Sequence, residues 1–227
     1  MGLGCTNLGW AHEAGWGVPE DVVAATRLYQ RACEVLHDPA GCDLLGRRHL
    51  EGRGAALDPQ RSLTLFDEAC RGGEAAGCDE LARMYERGIA TDADAVRARA
   101  LYARGCEGGQ AESCTSLARF VATGLGGPED LVEARALRAR ACDGGSAMGC
   151  NDLGVMMREG TAGAVDFARA RGLFERACES GEALGCGNLG AMYRDGAGGA
   201  RDPARANALF LQACSRGLSW ACDQHAG

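Results

Sequence analysis

The apolar positions of this chain recur at helical spacing, and the whole pattern then recurs along the chain. Leucine stands at Leu8, Leu45, Leu81, Leu117, Leu153 and Leu189, followed each time by Gly or Ala, and four positions on by His12, His49, Tyr85, Val121, Met157 and Tyr193. At about 100° per residue these positions share one face of a helix. A second leucine series, Leu28, Leu65, Leu101, Leu137, Leu173 and Leu209, is followed after four residues by Ala32, Ala69, Gly105, Ala141, Ala177 and Ala213, small enough for another helix to approach closely. Between the two series lie Gly15, Gly52, Gly88, Gly124, Gly160 and Gly196, suited to a left-handed helix end. Six residues after each glycine comes Asp21, Asp58, Asp94, Asp130, Asp166 or Asp202, with Pro59 and Pro203 directly behind two of them. An aspartate followed by proline opens a helix by capping its free amides, so these carboxylates are read as caps and not as catalytic groups. Each unit is thus a helix pair with one buried stripe, which must stack on its neighbours. His12 and His49 fill a place taken elsewhere by Tyr or Met and are read as packing residues.

The cysteines mark the same period. Apart from Cys5 they fall in spaced couples, Cys33 with Cys42, Cys70 with Cys78, Cys106 with Cys114, Cys142 with Cys150, Cys178 with Cys186 and Cys214 with Cys222, displaced by 36 residues from Cys70 onward. Read as one domain over 1–227, the repeats run 4–40, 41–76, 77–112, 113–148, 149–184 and 185–220, with a partial cap at 221–227.

Stretches such as GCDELARMYERG and GCGNLGAMYRDG, with the terminal Gly, the capping Asp and the Cys-x7-Cys spacing, resemble the Sel-one-like repeat, a 36-residue relative of the tetratricopeptide repeat. The cysteine spacing is similar to that of the Helicobacter cysteine-rich proteins. The resemblance implies an all-α fold, a right-handed α/α solenoid of about six repeats. It also implies that each cysteine couple forms a disulfide from the end of one repeat's second helix to the start of the next repeat's first. The first couple departs from the pattern at CEVLHDPAGC, with one extra residue and no Gly-Gly, and repeat 4 departs at Phe120, Val121 and Arg138.

Charge and composition narrow the function. A net charge of -7 argues against a nucleic-acid groove. No apolar run is long enough for a membrane span, and the first residues lack the regions of a signal peptide. All 24 basic residues are arginine, so no phosphate-loop, Schiff-base or Ser-x-x-Lys lysine exists. The glycine runs at 124–127 and 196–199 follow helices, not strands, and read as turns. Two cysteines per cluster and four histidines in the chain do not assemble six metal sites, so neither metal nor cofactor is expected. The couples read as structural staples, and staples of this density belong to an oxidising place, periplasmic or secreted. Cys5 is left as a free thiol, able to bridge two chains, and its missing upstream partner reads as the mark of a longer array.

Tetratricopeptide-like solenoids line a concave groove with their first helices. Six residues into each repeat the outward position reads Trp10, Arg47, Arg83, Arg119, Val155 and Ala191; three residues in, it reads Asn7, Leu44, Glu80, Ser116, Asp152 and Asn188. Arg47, Arg83 and Arg119 form a row that suits a carboxylate, a C-terminus or an acidic peptide. Asn7, Asn188, Glu80, Asp152 and Trp10 complete the candidate groove. The competing reading is a solvated face whose arginines pair with Glu51, Glu86 and Glu159. The reading favoured is a non-enzymatic protein or peptide scaffold; the alternative, implied by the Helicobacter relatives, is penicillin binding or weak β-lactamase activity.

Overall fold

The computed structural model describes residues 2–225, with side chains from 4 to 224, so the ends of the 1–227 reading, Met1 and Ala226–Gly227 of the cap, lie outside it. Thirteen helices, and no strand among the described residues, follow in order: α1 (Gly2–Ala14), α2 (Val22–Leu36), α3 (Pro39–Glu51), α4 (Pro59–Arg71), α5 (Ala75–Arg87), α6 (Ala95–Glu107), α7 (Ala111–Thr123), α8 (Leu131–Asp143), α9 (Ala147–Glu159), α10 (Phe167–Glu179), α11 (Ala183–Asp195), α12 (Pro203–Ser215) and α13 (Ser219–His225). The fold is all-α and repeats a helix pair. Packing divides the chain into two compact units, residues 1–113 with 125–127, and residues 114–124 with 128–227.

Local chemistry sets the helix ends. The backbone amides of Ala24, Arg61, Arg97, Arg169 and Arg205 donate to the carboxylates of Asp21, Asp58, Asp94, Asp166 and Asp202, each at 2.9 Å. Asp130 accepts from two amides, Val132 and Glu133. The glycines closing the first helices sit at φ between 67° and 75°, where a side chain would be strained. His12 and His49 are half-buried instead of packed into the core: each sets Nδ1 against a loop carbonyl, Pro19 O at 3.3 Å and Ala56 O at 3.1 Å, and so ties its inter-helix loop down.

In the first unit the core runs through Tyr29, Leu45, Leu65, Phe66, Leu81 and Met84; in the second it runs through Leu153, Phe174, Leu189, Met192 and Phe210. Leu8, by contrast, is 45% exposed. Small residues fix how closely helices meet. A Cβ on Gly46 would fall 2.7 Å from the Phe66 ring, and one on Gly77 would fall 2.6 Å from Ala69 Cβ. At the next junction the sizes are exchanged: Ser113 stands where Gly77 would, and Gly105 opposite it replaces alanine.

Disulfides join Cys33–Cys42, Cys70–Cys78, Cys142–Cys150, Cys178–Cys186 and Cys214–Cys222, tying the end of each second helix to the start of the next first helix. Cys106 and Cys114 are also disulfide-bonded, and Cys5 is free. With the bridges made inside the chain, nothing in them supports a covalent dimer. In repeat 4 Arg138 stands where other second helices carry Tyr or Phe, and Phe120 is fully buried at the first-helix position held by Met84, Met156 and Met192.

Candidate functional site

The first helices carry, just after each second cysteine, a polar residue that the groove reading passed over: Thr6, Asp43, Asp79, Thr115 and Asn151, interrupted at Gly187. Asp43, Asp79 and Asn151 are buried. Asp43, Asp79 and Asn151 hold candidate groove residues, whereas Thr6 bonds Asp38 and Thr115 bonds Ser146; polarity at a position flanked by core residues was the signal that could have found them.

In the first unit, Arg47 Nε donates to Asp43 Oδ2 at 3.1 Å and Arg47 Nη2 reaches Glu80 Oε1 at 3.4 Å. Arg83 Nη2 donates to Asp79 Oδ2 at 2.8 Å and its Nη1 lies 3.7 Å from the same Glu80 oxygen. Glu80 therefore braces two arginines of adjacent first helices, α3 and α5. The partners imagined for these arginines are engaged elsewhere, Glu51 with Arg48 and Glu86 with the Tyr102 hydroxyl. Both guanidiniums remain partly exposed, at 35% and 40% for the side chains.

Two buried aspartates in this network differ in one donor. Asp79 Oδ1 accepts from Ser113 Oγ at 2.8 Å, whereas Asp43 Oδ1 is buried with no partner, because Gly77 holds the place of Ser113. Burial pushes the Asp43 carboxyl up to about 6, against the pull of Arg47 and with help from Glu80 and Glu74. Burial also raises Asp79, opposed by its bond from Ser113 and by the charge of Arg83. Burial works against the Arg47 charge too, but Asp43 and Glu80 outweigh it and hold that guanidinium firmly protonated. At the start of the unit Trp10 is exposed and meets Trp16 edge-on, ring centroids 4.7 Å apart; Asn7 is exposed beside it in sequence.

In the second unit Asn188 Nδ2 donates to Asn151 Oδ1 at 2.8 Å and Asn188 Oδ1 accepts from Arg158 Nη1 at 3.2 Å. Asn151 in turn donates to Asp152, whose carboxyl is raised by burial and drawn back by Arg138 at 3.9 Å. Glu159 pairs with Arg158. Arg119 lies over the Phe120 ring, 4.8 Å from its centroid. The structure thus joins Arg47, Glu80 and Arg83 in one network and Asp152 and Asn188 in another, each rigidly oriented by buried neighbours.

Sequence reasoning also missed Arg48. It is buried at the core position that Met84 fills in the next repeat, and its Nη1 lies 3.0 Å from Glu13 Oε1, which the Tyr29 hydroxyl also faces through Oε2 at 2.8 Å. Burial and the Glu13 bond hold the Tyr29 phenol well above its ordinary range. One group of ligating side chains is found among the described residues, Cys33, Cys42 and Glu68, and both sulfurs are spent in a disulfide.

A family model described as Sel1 repeat matches residues 2–34, 39–74, 75–110, 111–146, 147–182 and 183–218. Among solved structures, a protective antigen of uropathogenic Escherichia coli with an SLR fold is 26% identical, with TM-score 0.85 over 99% of this chain. This chain spans 48% of that one. A Sel1 repeat protein from Oxalobacter formigenes is 18% identical, TM-score 0.83, covering 94% of this chain and 85% of its own. Cysteine rich protein B of Helicobacter pylori is 26% identical over 58% of this chain and 94% of its own, with TM-score 0.48. No curated protein matches the chain.

Proposed function

We infer the function from one premise: the chain belongs to the Sel1 repeat family, whose model covers six successive helix pairs. A Sel1 repeat scaffold fits a protein-interaction role. We propose specifically that the first helices bind an extended protein or peptide segment bearing an acidic side chain or a C-terminal carboxylate, without catalysis. The observation that carries this reading is the cross-braced pair Arg47 and Arg83, whose guanidiniums are held by Asp43, Asp79 and Glu80 yet stay partly open. A guanidinium fixed in advance loses little freedom when it forks onto a carboxylate. In the second unit Arg119 would serve the same carboxylate while Asn188 and Asp152 meet the peptide backbone, and Asn7 and Trp10 would serve the peptide at the start of the first unit.

Its six intra-chain disulfides fit an oxidising compartment, and among the described residues no helix is long and apolar enough to cross a membrane. We place the protein in a periplasmic or secreted setting on the strength of those bridges.

The test is selection from a random peptide display library, followed by affinity measurement on the wild type and on Arg47→Gln/Arg83→Gln. Enrichment of acidic or carboxylate-terminated peptides is expected, with binding weakened about tenfold or more by the double substitution, as the loss of one charge-assisted hydrogen bond requires. Selected peptides that bind both proteins equally would refute the reading.

A further inference from the structure

At two of the disulfide junctions a guanidinium from the following second helix covers the carbonyl of the first cysteine. Arg104 Nη2 donates to Cys70 O at 3.0 Å, and Arg176 Nη2 donates to Cys142 O at 3.0 Å. Both arginines stand three residues after the second-helix leucine, Leu101 or Leu173. In the last repeat that position is Gln212, and the guanidinium arrives from a different place: Arg216 Nη1 donates to Cys178 O at 2.9 Å and lies 3.0 Å from Cys186 Sγ. The same oxygen is served by two sequence solutions. A guanidinium thus recurs at this spot from two different repeat positions.

At the first junction, Cys33–Cys42, neither solution is present. The position of Arg104 is Glu68, and the position of Arg216 is Gly72. Gly72 cannot be enlarged, since a Cβ there would collide with the Pro39 ring. Glu68 Oε2 lies 3.7 Å from Cys33 Sγ and 4.0 Å from Cys42 Sγ, sulfurs that are bonded to each other and have no proton to give. A cavity of about 520 Å³ opens here, walled by the disulfide, His37, Arg61, Glu68 and Arg71. Its two arginines are committed, Arg61 to Glu34 at 2.7 Å and Arg71 to Asp67 at 2.9 Å. Among the described residues Glu68 has no cation. The residues that break the repeat, the extra residue, His37 in a left-handed conformation at φ 51° and Glu68, all meet at this one cavity.

We propose that this cavity is a guanidinium site that receives an arginine side chain from a peptide partner. The fork donates to the Glu68 carboxylate and to the Cys33 carbonyl, as Arg104 does to Cys70, and the aliphatic stem lies along the disulfide and Pro39. The chain's own repeats place a guanidinium at the equivalent carbonyl. The site uses none of the residues of the first-helix groove, and its test is separate.

Binding of N-acetyl-arginine amide to the oxidised protein is measured by calorimetry and by NMR, beside the neutral isostere N-acetyl-citrulline amide and free L-arginine. The expected result is saturable binding of the arginine amide, at least about tenfold tighter than the citrulline amide. Glu68→Gln is expected to weaken it about tenfold, and Glu68→Arg, which supplies the fork from the chain itself, to abolish it with all disulfides retained by mass. Equal binding of arginine and citrulline amides to the unmodified protein, or Glu68→Gln binding as the wild type does, would overturn the site. Binding confined to free L-arginine would overturn the peptide occupant.

Discussion

Replacing buried Arg48 by methionine isolates what an ion pair does in a place where the repeat otherwise uses a hydrophobic residue. At the next interface the equivalent three positions are Leu50, Phe66 and Met84, which pack together as apolar core. At the first they are Glu13, Tyr29 and Arg48, joined by contacts of 2.8 and 3.0 Å. The Arg48 side chain is 6% exposed and that of Glu13 is 19% exposed, so both charges have lost most of their water. Arg48→Met removes one partner and leaves Glu13 without its cation in a largely buried place; such removals cost about 3 kcal/mol. The triple variant Glu13→Leu/Tyr29→Phe/Arg48→Met installs the neighbouring solution entire and is expected to recover all of that loss, since an apolar set of similar volume equals or exceeds a buried ion pair. Urea unfolding of the oxidised proteins, with amide exchange following α1 to α3, measures both. A single variant that costs less than about 0.5 kcal/mol, or a triple variant no more stable than the single, would refute the argument.

Three further outcomes follow from particular residues. Because the folded Asp43 carboxyl titrates near 6, above its unfolded value, the native state holds the extra proton between roughly pH 4 and 6; stability from this group is full below that window and is lost as pH rises through it. Asp43→Asn should therefore raise stability at pH 7 by about 3 kcal/mol and flatten the pH profile, and a carboxyl carbon resonance of Asp43 titrating at the ordinary aspartate value would contradict it. Gly77→Ala should destabilise by about 1–3 kcal/mol through its collision with Ala69, and Ala69→Gly in the same chain should restore most of the loss, as the Gly105 and Ser113 exchange already does one repeat on; additive effects in a double-mutant cycle would show that the two do not meet. Denatured, unreduced protein should titrate a single thiol, that of Cys5, and several free thiols would disprove the pairing.

The periodic features were legible in the sequence because each depends on neighbours close along the chain. An aspartate bonds an amide three residues on, a glycine adopts a left-handed turn by itself, and a leucine series at helical spacing must be buried wherever the helix packs. The cysteine spacing marked the junctions for the same reason. The groove arginines were legible as positions but not as chemistry: whether Arg47 and Arg83 are free or braced depends on Asp43, Asp79 and Glu80, and Glu80 joins them only once α3 lies against α5. In the sequence Arg48 is simply one arginine beside another. Its burial comes from stacking against Glu13 and Tyr29, which are 35 and 19 residues away along the chain. Glu68 is the clearest case. In the sequence it is one more acidic residue on a helix, and only the fold sets it against the Cys33–Cys42 bridge, where other junctions put a guanidinium. Sequence alone determined the repeated helix pair, since that rests on local geometry and on burial of one stripe; tertiary structure decided which charges face each other, because electrostatic partners are chosen by distance in space and by the water that packing removes.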